Sequence, residues 1–238
     1  MSEVAGVTIV AGVGPGLGRA VAERFADAGH KVALLARRAE ALAAMASARA
    51  DGRFTPISCD VTDGAAVARA FARVAGELGT PDCVVFNAGG WSRGGITELT
   101  AEAFERSWRV GCLGGFHVGQ AAARAMMEHG RGGSILFTGA TASLRGGSGF
   151  AAFAAGKFGL RALAQSMARE LAPAGIHVAH VIIDGQIMSE RYRQLAAERG
   201  PEALLEPAAI AETYWQLHAQ PRSAWTFELE LRPWVERF

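Results

Sequence analysis

Apolar residues are distributed along the chain in two alternating patterns. Six short runs, at 7–10, 32–36, 54–58, 84–87, 134–138 and 177–183, are rich in Val and Ile and bounded by Gly, Pro or Asp. Runs of this length and composition read as strands buried on both faces. Between them, 17–28, 38–48, 63–78, 101–129 and 150–171 carry helix formers with apolar residues at helical spacing. Thr62 and Asp63 suit a helix start, and Gly29 and Gly79 suit helix ends. Repeated strand–helix alternation predicts right-handed βαβ units. The expected fold class is therefore α/β: a doubly wound parallel sheet in three layers, α/β/α, forming a single domain over 1–238. No repeat or shift of composition marks a second domain. Residues 186–206 follow neither pattern. The tail, 225–238, opens with alternation, Phe227, Leu229 and Leu231 against Glu228 and Glu230, and closes with Trp234 and Phe238. That pattern predicts a strand followed by a tail docked on the core or on another subunit.

Composition narrows the class of partner. Half of the residues are hydrophobic and a fifth are charged, enough apolar material for a sizeable core. A net charge of +1 with no basic run argues against a nucleic-acid or membrane-surface partner. No apolar run reaches the length of a membrane span. The first residues lack the basic start and long apolar stretch of a signal peptide, so the expected location is cytoplasmic. Cys59, Cys83 and Cys112 are isolated, which fits reduced thiols. His117, His129, His177, His180 and His218 show no metal-ligand spacing, so satisfied or exposed histidines and no metal site are expected.

The first strand runs into "VAGVGPGLGRAVAERF", where Gly12, Gly16 and Gly18 precede the first helix. Glycines between a strand and a helix let a pyrophosphate approach the backbone, and the helix N-terminus offers free N–H groups and the positive end of its dipole. This context makes the turn a dinucleotide-binding signal. At the end of the second strand a NAD site usually carries an acidic residue for the ribose hydroxyls. Here Ala36 is followed by Arg37 and Arg38, two guanidinium groups suited to a 2′-phosphate. NADP(H) is therefore favoured over NAD(H). The chain has only two lysines, Lys31 and Lys157, so the lysine at 157 stands out from an otherwise arginine-based set of cations. A compact ammonium there suits ribose hydroxyls.

With these motifs in order, the chain resembles the short-chain dehydrogenase/reductase family up to about Asp184. Gly12, Gly16 and Gly18 match its cofactor glycines, "CDVTD" the segment after its third strand, and "NAG" the end of its fourth. The resemblance implies a Rossmann domain and a nicotinamide cofactor contacted by Gly12, Gly16, Leu17, Gly18, Arg37, Arg38, Asp60, Val61, Asn87, Ala88, Gly89, Lys157, Gly185 and Ile187. It also implies a homodimer or homotetramer built on the two long central helices, and a substrate-covering segment at 185–206.

In the resembled family a Tyr and a Lys, four residues apart on one helix face, meet a Ser and an Asn. The Tyr delivers or takes the proton, the Lys lowers its pKa and holds the ribose, and the Ser binds the reacting oxygen. Residue by residue, Lys157 keeps the Lys position. Phe153 falls at the Tyr, Ala140 at the Ser and Gly111 at the Asn. A phenyl ring has no proton to give. General acid catalysis contributes about 10²–10⁴-fold, and an oxyanion donor roughly a further 10²–10³-fold. Ordinary carbonyl reduction through Phe153 is thus not expected. Asp184, where the family has Pro before Gly185, and Tyr192 are the candidate substitutes for the acid; partial burial would raise the pKa of Asp184, whereas Asp-Gly is also an ordinary turn signal. Thr138, Thr141 and Ser143 flank the vacated Ser position, and Tyr214 lies in a later helix. Trp91 either lines a substrate cleft or packs. Two readings stay open: an oxidoreductase of a small carbonyl, alcohol or enone compound with altered chemistry, and a non-catalytic NADP(H)-binding or sensing protein.

Overall fold

The computed structural model describes residues 6–236. Its strands are β1 (Val7–Ala11), β2 (Lys31–Ala36), β3 (Phe54–Ser58), β4 (Cys83–Phe86), β5 (Gly133–Thr138), β6 (Ile176–Ile183) and β7 (Glu228–Leu231). They form a seven-stranded sheet in the order β3-β2-β1-β4-β5-β6-β7, parallel throughout. The order reverses between β1 and β4, so a crevice opens beyond their carboxyl ends. The central runs Val32–Leu35 and Cys83–Phe86 are wholly buried, which is why they read as continuous apolar stretches. Pro56, which has no N–H for a ladder, lies in β3 at the sheet edge.

The helices are α1 (Leu17–Asp27), α2 (Ala39–Ser47), α3 (Gly64–Glu77), α4 (Ala101–Trp108), α5 (Gly114–His129), α6 (Ala151–Leu171), α7 (Arg193–Arg199) and α8 (Pro207–His218). Asp63 caps α3 by accepting from Ala65 N at 2.8 Å, and Thr100 caps α4 by accepting from Ala103 N at 3.2 Å. One core packs α3, α5 and α6 on the sheet through residues such as Phe71, Val118 and Leu160. The other packs α1, α2 and α8 through Phe25, Leu42 and Tyr214. The expected three-layer α/β domain is what forms.

Three local expectations are corrected. The run 101–129 is not one helix: a π-helical turn at Arg109–Leu113 separates α4 from α5. Gly111, Gly114 and Gly115 are poor helix formers, and their missing side chains admit close neighbours: a Cβ at Gly114 would crowd Val61, and one at Gly115 would strike Leu160. Within 186–206 the chain forms a 3₁₀ turn at Glu190–Tyr192 and then α7. Its base is closed by a bridge between Ile187 and Leu205, with Met188 N donating to Leu205 O at 2.8 Å. The tail does form a strand, but Phe227 does not share a face with Leu229 and Leu231. Phe227 packs with the α6 side and the two leucines with the α8 side, because β7 begins only at Glu228. Trp234 is 78 % exposed, and Phe238 lies outside the described residues.

Candidate dinucleotide and substrate site

The glycine turn follows β1 directly. Gly12 has a φ of +98°, and a Cβ there would collide with the backbone of Asn87 and Ala88 at the end of β4. Asn87 Nδ2 donates to Gly12 O at 3.0 Å, and Asn87 N to Ala11 O at 2.7 Å. The "NAG" stretch thus braces the turn. Gly16 is the N-cap of α1, without a side-chain cap, and open space lies where Cβ atoms would stand at Gly14 and Gly16. Uncapped N–H groups beside open space make an anion cradle.

Arg37 and Arg38 follow β2 and are exposed. A cleft of about 200 Å³, lined by Val13, Gly14, Pro15, Ala36, Arg38, Ala41, Leu42 and Met45, joins this cationic corner to the glycine turn. After β3, the Asp60 carboxylate accepts from Thr62 N at 2.9 Å and Thr62 Oγ1 at 2.8 Å. Those bonds, the backbone one foremost, hold its pKa below the ordinary value, helped by the charges of Arg37 and Arg109. Val61 is buried beside it. The cradle, the cationic corner and a fixed carboxylate lie in sequence along one crevice, and these residues fit a phosphorylated dinucleotide.

Across the switch point lies α6. Lys157 is 4 % exposed, and its Nζ donates to Thr138 O, at the end of β5, at 2.6 Å. Burial pushes its pKa down to about 8. Its Nζ stands 5.8 Å from the centre of the Phe153 ring, one helical turn earlier. Ala140 follows β5; its N–H donates to Ser143 Oγ at 3.1 Å. Gly111 sits in the π-helical turn, where a Cβ would make ordinary 3.6 Å contact with Gly156 of α6. Residues 111, 140, 153 and 157 come from the elements that converge beside the crevice, but only Lys157 brings an ionisable group.

Asp184 directly follows β6 and is 7 % exposed. One carboxylate oxygen accepts from Thr141 Oγ1 and the other lies 3.2 Å from Arg232 Nη2, which also pairs with Glu230. Gly185 and Ile187 follow it into the segment closed by the bridge to Leu205. Tyr192 stands on that segment, with the Arg191 guanidinium 5.4 Å over its ring. Tyr214 is buried, and its hydroxyl pairs with Thr138 Oγ1 at 2.7 Å. Desolvation raises its pKa well above the ordinary tyrosine value, so it offers no proton to the cleft. Trp91, 61 % exposed, meets Phe150 edge-on at 6.4 Å, and Gly94 N donates to Gly149 O at 2.9 Å. The loops after β4 and before α6 are thereby joined into one rim.

Three of the histidines are held by hydrogen bonds. His117 Nδ1 lies 3.0 Å from Val61 O, His177 Nε2 2.8 Å from Thr226 O, and His218 Nδ1 2.8 Å from Ser134 Oγ. Among the described residues no group of three or more His, Cys, Asp or Glu side chains is placed to hold a metal. No described helix is long and apolar enough to cross a membrane.

The model of the short chain dehydrogenases matches residues 6–199. The chain belongs to the short-chain dehydrogenase/reductase family. It is 37 % identical over 187 residues to the 3-oxoacyl-[acyl-carrier-protein] reductase MabA of Mycobacterium avium, covering 79 % of this chain and 69 % of that one. Among solved structures, a short-chain dehydrogenase from Rhodopseudomonas palustris is 42 % identical, with a TM-score of 0.83 over 98 % of this chain and all of that one. A metagenomic short-chain oxidoreductase in complex with NADP is 27 % identical, with a TM-score of 0.83 over 99 % of this chain and 100 % of the other. Its family relatives include ketoreductases and dehydrogenases.

Proposed function

We propose that this short-chain dehydrogenase/reductase is an NADP(H)-dependent oxidoreductase of a small carbonyl, alcohol or enone compound, working without the family's usual proton donor. The observation that carries the reading is Lys157. A buried ammonium held by one backbone carbonyl, and forming no ion pair among the described residues, is costly to fold around. It recovers that cost by donating to the hydroxyls of a bound ribose. The cofactor, when bound, supplies hydride chemistry at its nicotinamide ring.

The chain's own groups divide the remaining work. N–H groups at Gly16, Leu17 and Gly18 take the pyrophosphate, and Arg37 and Arg38 take the 2′-phosphate. Asp60 and Val61 flank the adenine, and Asn87, Ala88 and Gly89 shape the floor. Gly185 and Ile187 carry the chain from β6 into the covering segment 185–206. The Phe153, Trp91 and Phe150 rings give the substrate side an apolar wall. Such a site favours an acceptor whose reduced form is stable with proton delivery from water. Of the two substitute acids, Asp184 has both carboxylate oxygens engaged, which supports a role in holding the β6 end, while Tyr192 stands on the covering segment. The NADP-bound relative supports the choice of cofactor and the 3-oxoacyl reductases support carbonyl chemistry.

A second reading, an NADP(H)-binding or sensing protein without turnover, is favoured by one observation: Gly111, Ala140 and Phe153 place no hydroxyl or amide beside Lys157. Fluorescence titration with NADPH tests the binding step, with quenching or energy transfer expected; its absence at millimolar cofactor overturns both readings. An absorbance screen of aldehydes, ketones and enones then separates enzyme from binder. Exposed Phe104, Trp108, Phe116 and Phe158 on α4, the α5 helix and α6 fit a homodimer or homotetramer formed on these helices. The free thiols fit a cytoplasmic location.

A further inference from the structure

Four polar side chains beneath the site form one continuous chain of contacts. Arg161, one turn after Lys157 on α6, grips Glu228 of β7 with two bonds of 2.7 Å. Glu228 Oε2 lies 2.9 Å from His180 Nδ1 on β6, and His180 Nε2 lies 3.4 Å from Ser143 Oγ. Ser143 Oγ accepts from Ala140 N at 3.1 Å. The roles are fixed along the line: Nδ1–H donates to the carboxylate, the Ser143 hydroxyl donates to Nε2, and its lone pair takes the Ala140 N–H. Burial pushes the His180 pKa down to about 4, so the ring keeps the neutral form this pattern needs. Room for the ring depends on Gly139, where a Cβ would stand 2.5 Å from His180 Nε2.

Carboxylate, imidazole and hydroxyl in this order are also the parts of a nucleophile triad. Ser143 and His180 are 0 % exposed, however, and no substrate reaches them. The chain instead ends at the two parts of the cleft that matter. At one end it fixes the backbone of residue 140. At the other it fixes α6, since Lys157 and Arg161 are i and i+4 on one helix face.

We infer that Glu228, His180, Arg161 and Ser143 are positioning residues that hold the β5 loop and the Lys157 ammonium in register for the ligand. The inference rests on the NADP(H) reading for its ligand. Nothing in it requires any of the four to touch cofactor or substrate. Charge-assisted bonds at both ends of Glu228 make it the strongest joint.

The test compares Glu228→Gln, Glu228→Asp, His180→Asn and Ser143→Ala in the full chain. Two readouts are taken beside thermal melting: NADPH affinity by fluorescence, and amide hydrogen exchange over 139–144. Glu228→Gln and His180→Asn are expected to weaken NADPH about tenfold and to speed exchange in that loop. Ser143→Ala speeds exchange at Ala140 most directly, and Glu228→Asp recovers part of the affinity by restoring the charge. Cooperative melting with unchanged affinity and unchanged exchange overturns the inference. So does a lowered melting temperature with neither readout moved, or faster exchange with full affinity. If the wild-type chain binds no NADPH, the cofactor reading falls separately, and with it the ligand-positioning role; exchange over 139–144 then reports only whether the four residues hold the loop.

Discussion

Lys157 and Phe153 stand one turn apart on α6, with the ammonium 5.8 Å from the centre of the phenyl ring. A buried cation thus stands beside a ring without a hydroxyl. The lysine's remaining hydrogen-bonding capacity faces a site where residues 140 and 111 also bring no polar side chain.

Installing a phenol at 153 tests whether the site can use the family's usual proton donor. Phe153→Tyr with Ala140→Ser returns an ionisable proton and an oxygen-binding hydroxyl. Reduction of simple carbonyls is expected to rise by about 10²-fold or more, the lower end of what a general acid contributes. Nicotinamide absorbance is the measurement. Retained NADPH binding with no gain in rate would show that the pocket itself has diverged.

Replacing Lys157 should move stability and binding in opposite directions. Its pKa falls from 10.5 unfolded to about 8 folded, so its burial is harmless above 10.5, grows costlier as pH falls from 10.5 to about 8, and carries its full cost below that. At neutral pH the wild type carries the full penalty. Lys157→Met removes it and leaves a side chain of similar length, stabilising the fold by on the order of 1–3 kcal/mol. NADPH affinity should fall at least tenfold in the same protein. A variant that loses both stability and affinity would assign Lys157 to the core alone.

On the NADP(H) reading proposed above, the arginine corner would set cofactor choice. Arg37→Ala and Arg38→Ala each remove one charge-assisted phosphate contact, of about 1.5–3 kcal/mol. Affinity for NADPH should drop about tenfold or more in each, with little change for NADH. Parallel titrations decide it: equal losses for both cofactors would place these guanidinium groups away from the 2′-phosphate.

How much of this was legible beforehand depended on chain separation. The Val- and Ile-rich strands and the Gly12–Gly16–Gly18 turn are local patterns, and they formed where their periodicity placed them. The break at Arg109–Leu113 left only a faint trace, a concentration of glycines inside an otherwise helical run. The segment 185–206 has no single apolar face, since it is built of a 3₁₀ turn and the short helix α7. The His180–Glu228 pair spans 48 residues, and no periodicity links its members. Its one local sign is a histidine inside the wholly buried β6 run, where an unpartnered imidazole would be costly. Phe227 was misplaced for a related reason: alternation holds only within a strand, and it precedes β7.

The buried histidines should give the fold a distinct acid dependence. His30, His177, His180 and His218 all have lowered pKa values, desolvation being the first cause in each. For His180 and His218 the folded values are about 4, against 6.5 in the unfolded chain. The unfolded chain therefore takes up protons below pH 6.5 that the folded protein refuses until about 4. Stability is complete above 6.5 and is lost as pH falls through that window, by up to about 1.4 kcal/mol per pH unit for each ring. His30 and His218 lie 5.3 Å apart, so protonating one further opposes the other, with Asp82 offsetting part of the effect. Carboxylates such as Glu228, held below their ordinary 4.5, add their losses only at lower pH. Denaturant melts between about pH 6.5 and 4.5 consequently isolate the histidines. His218→Gln, which keeps a polar partner for Ser134, should flatten the slope in that range. A wild-type midpoint that stays level across it would mean that these rings are already protonated in the folded protein.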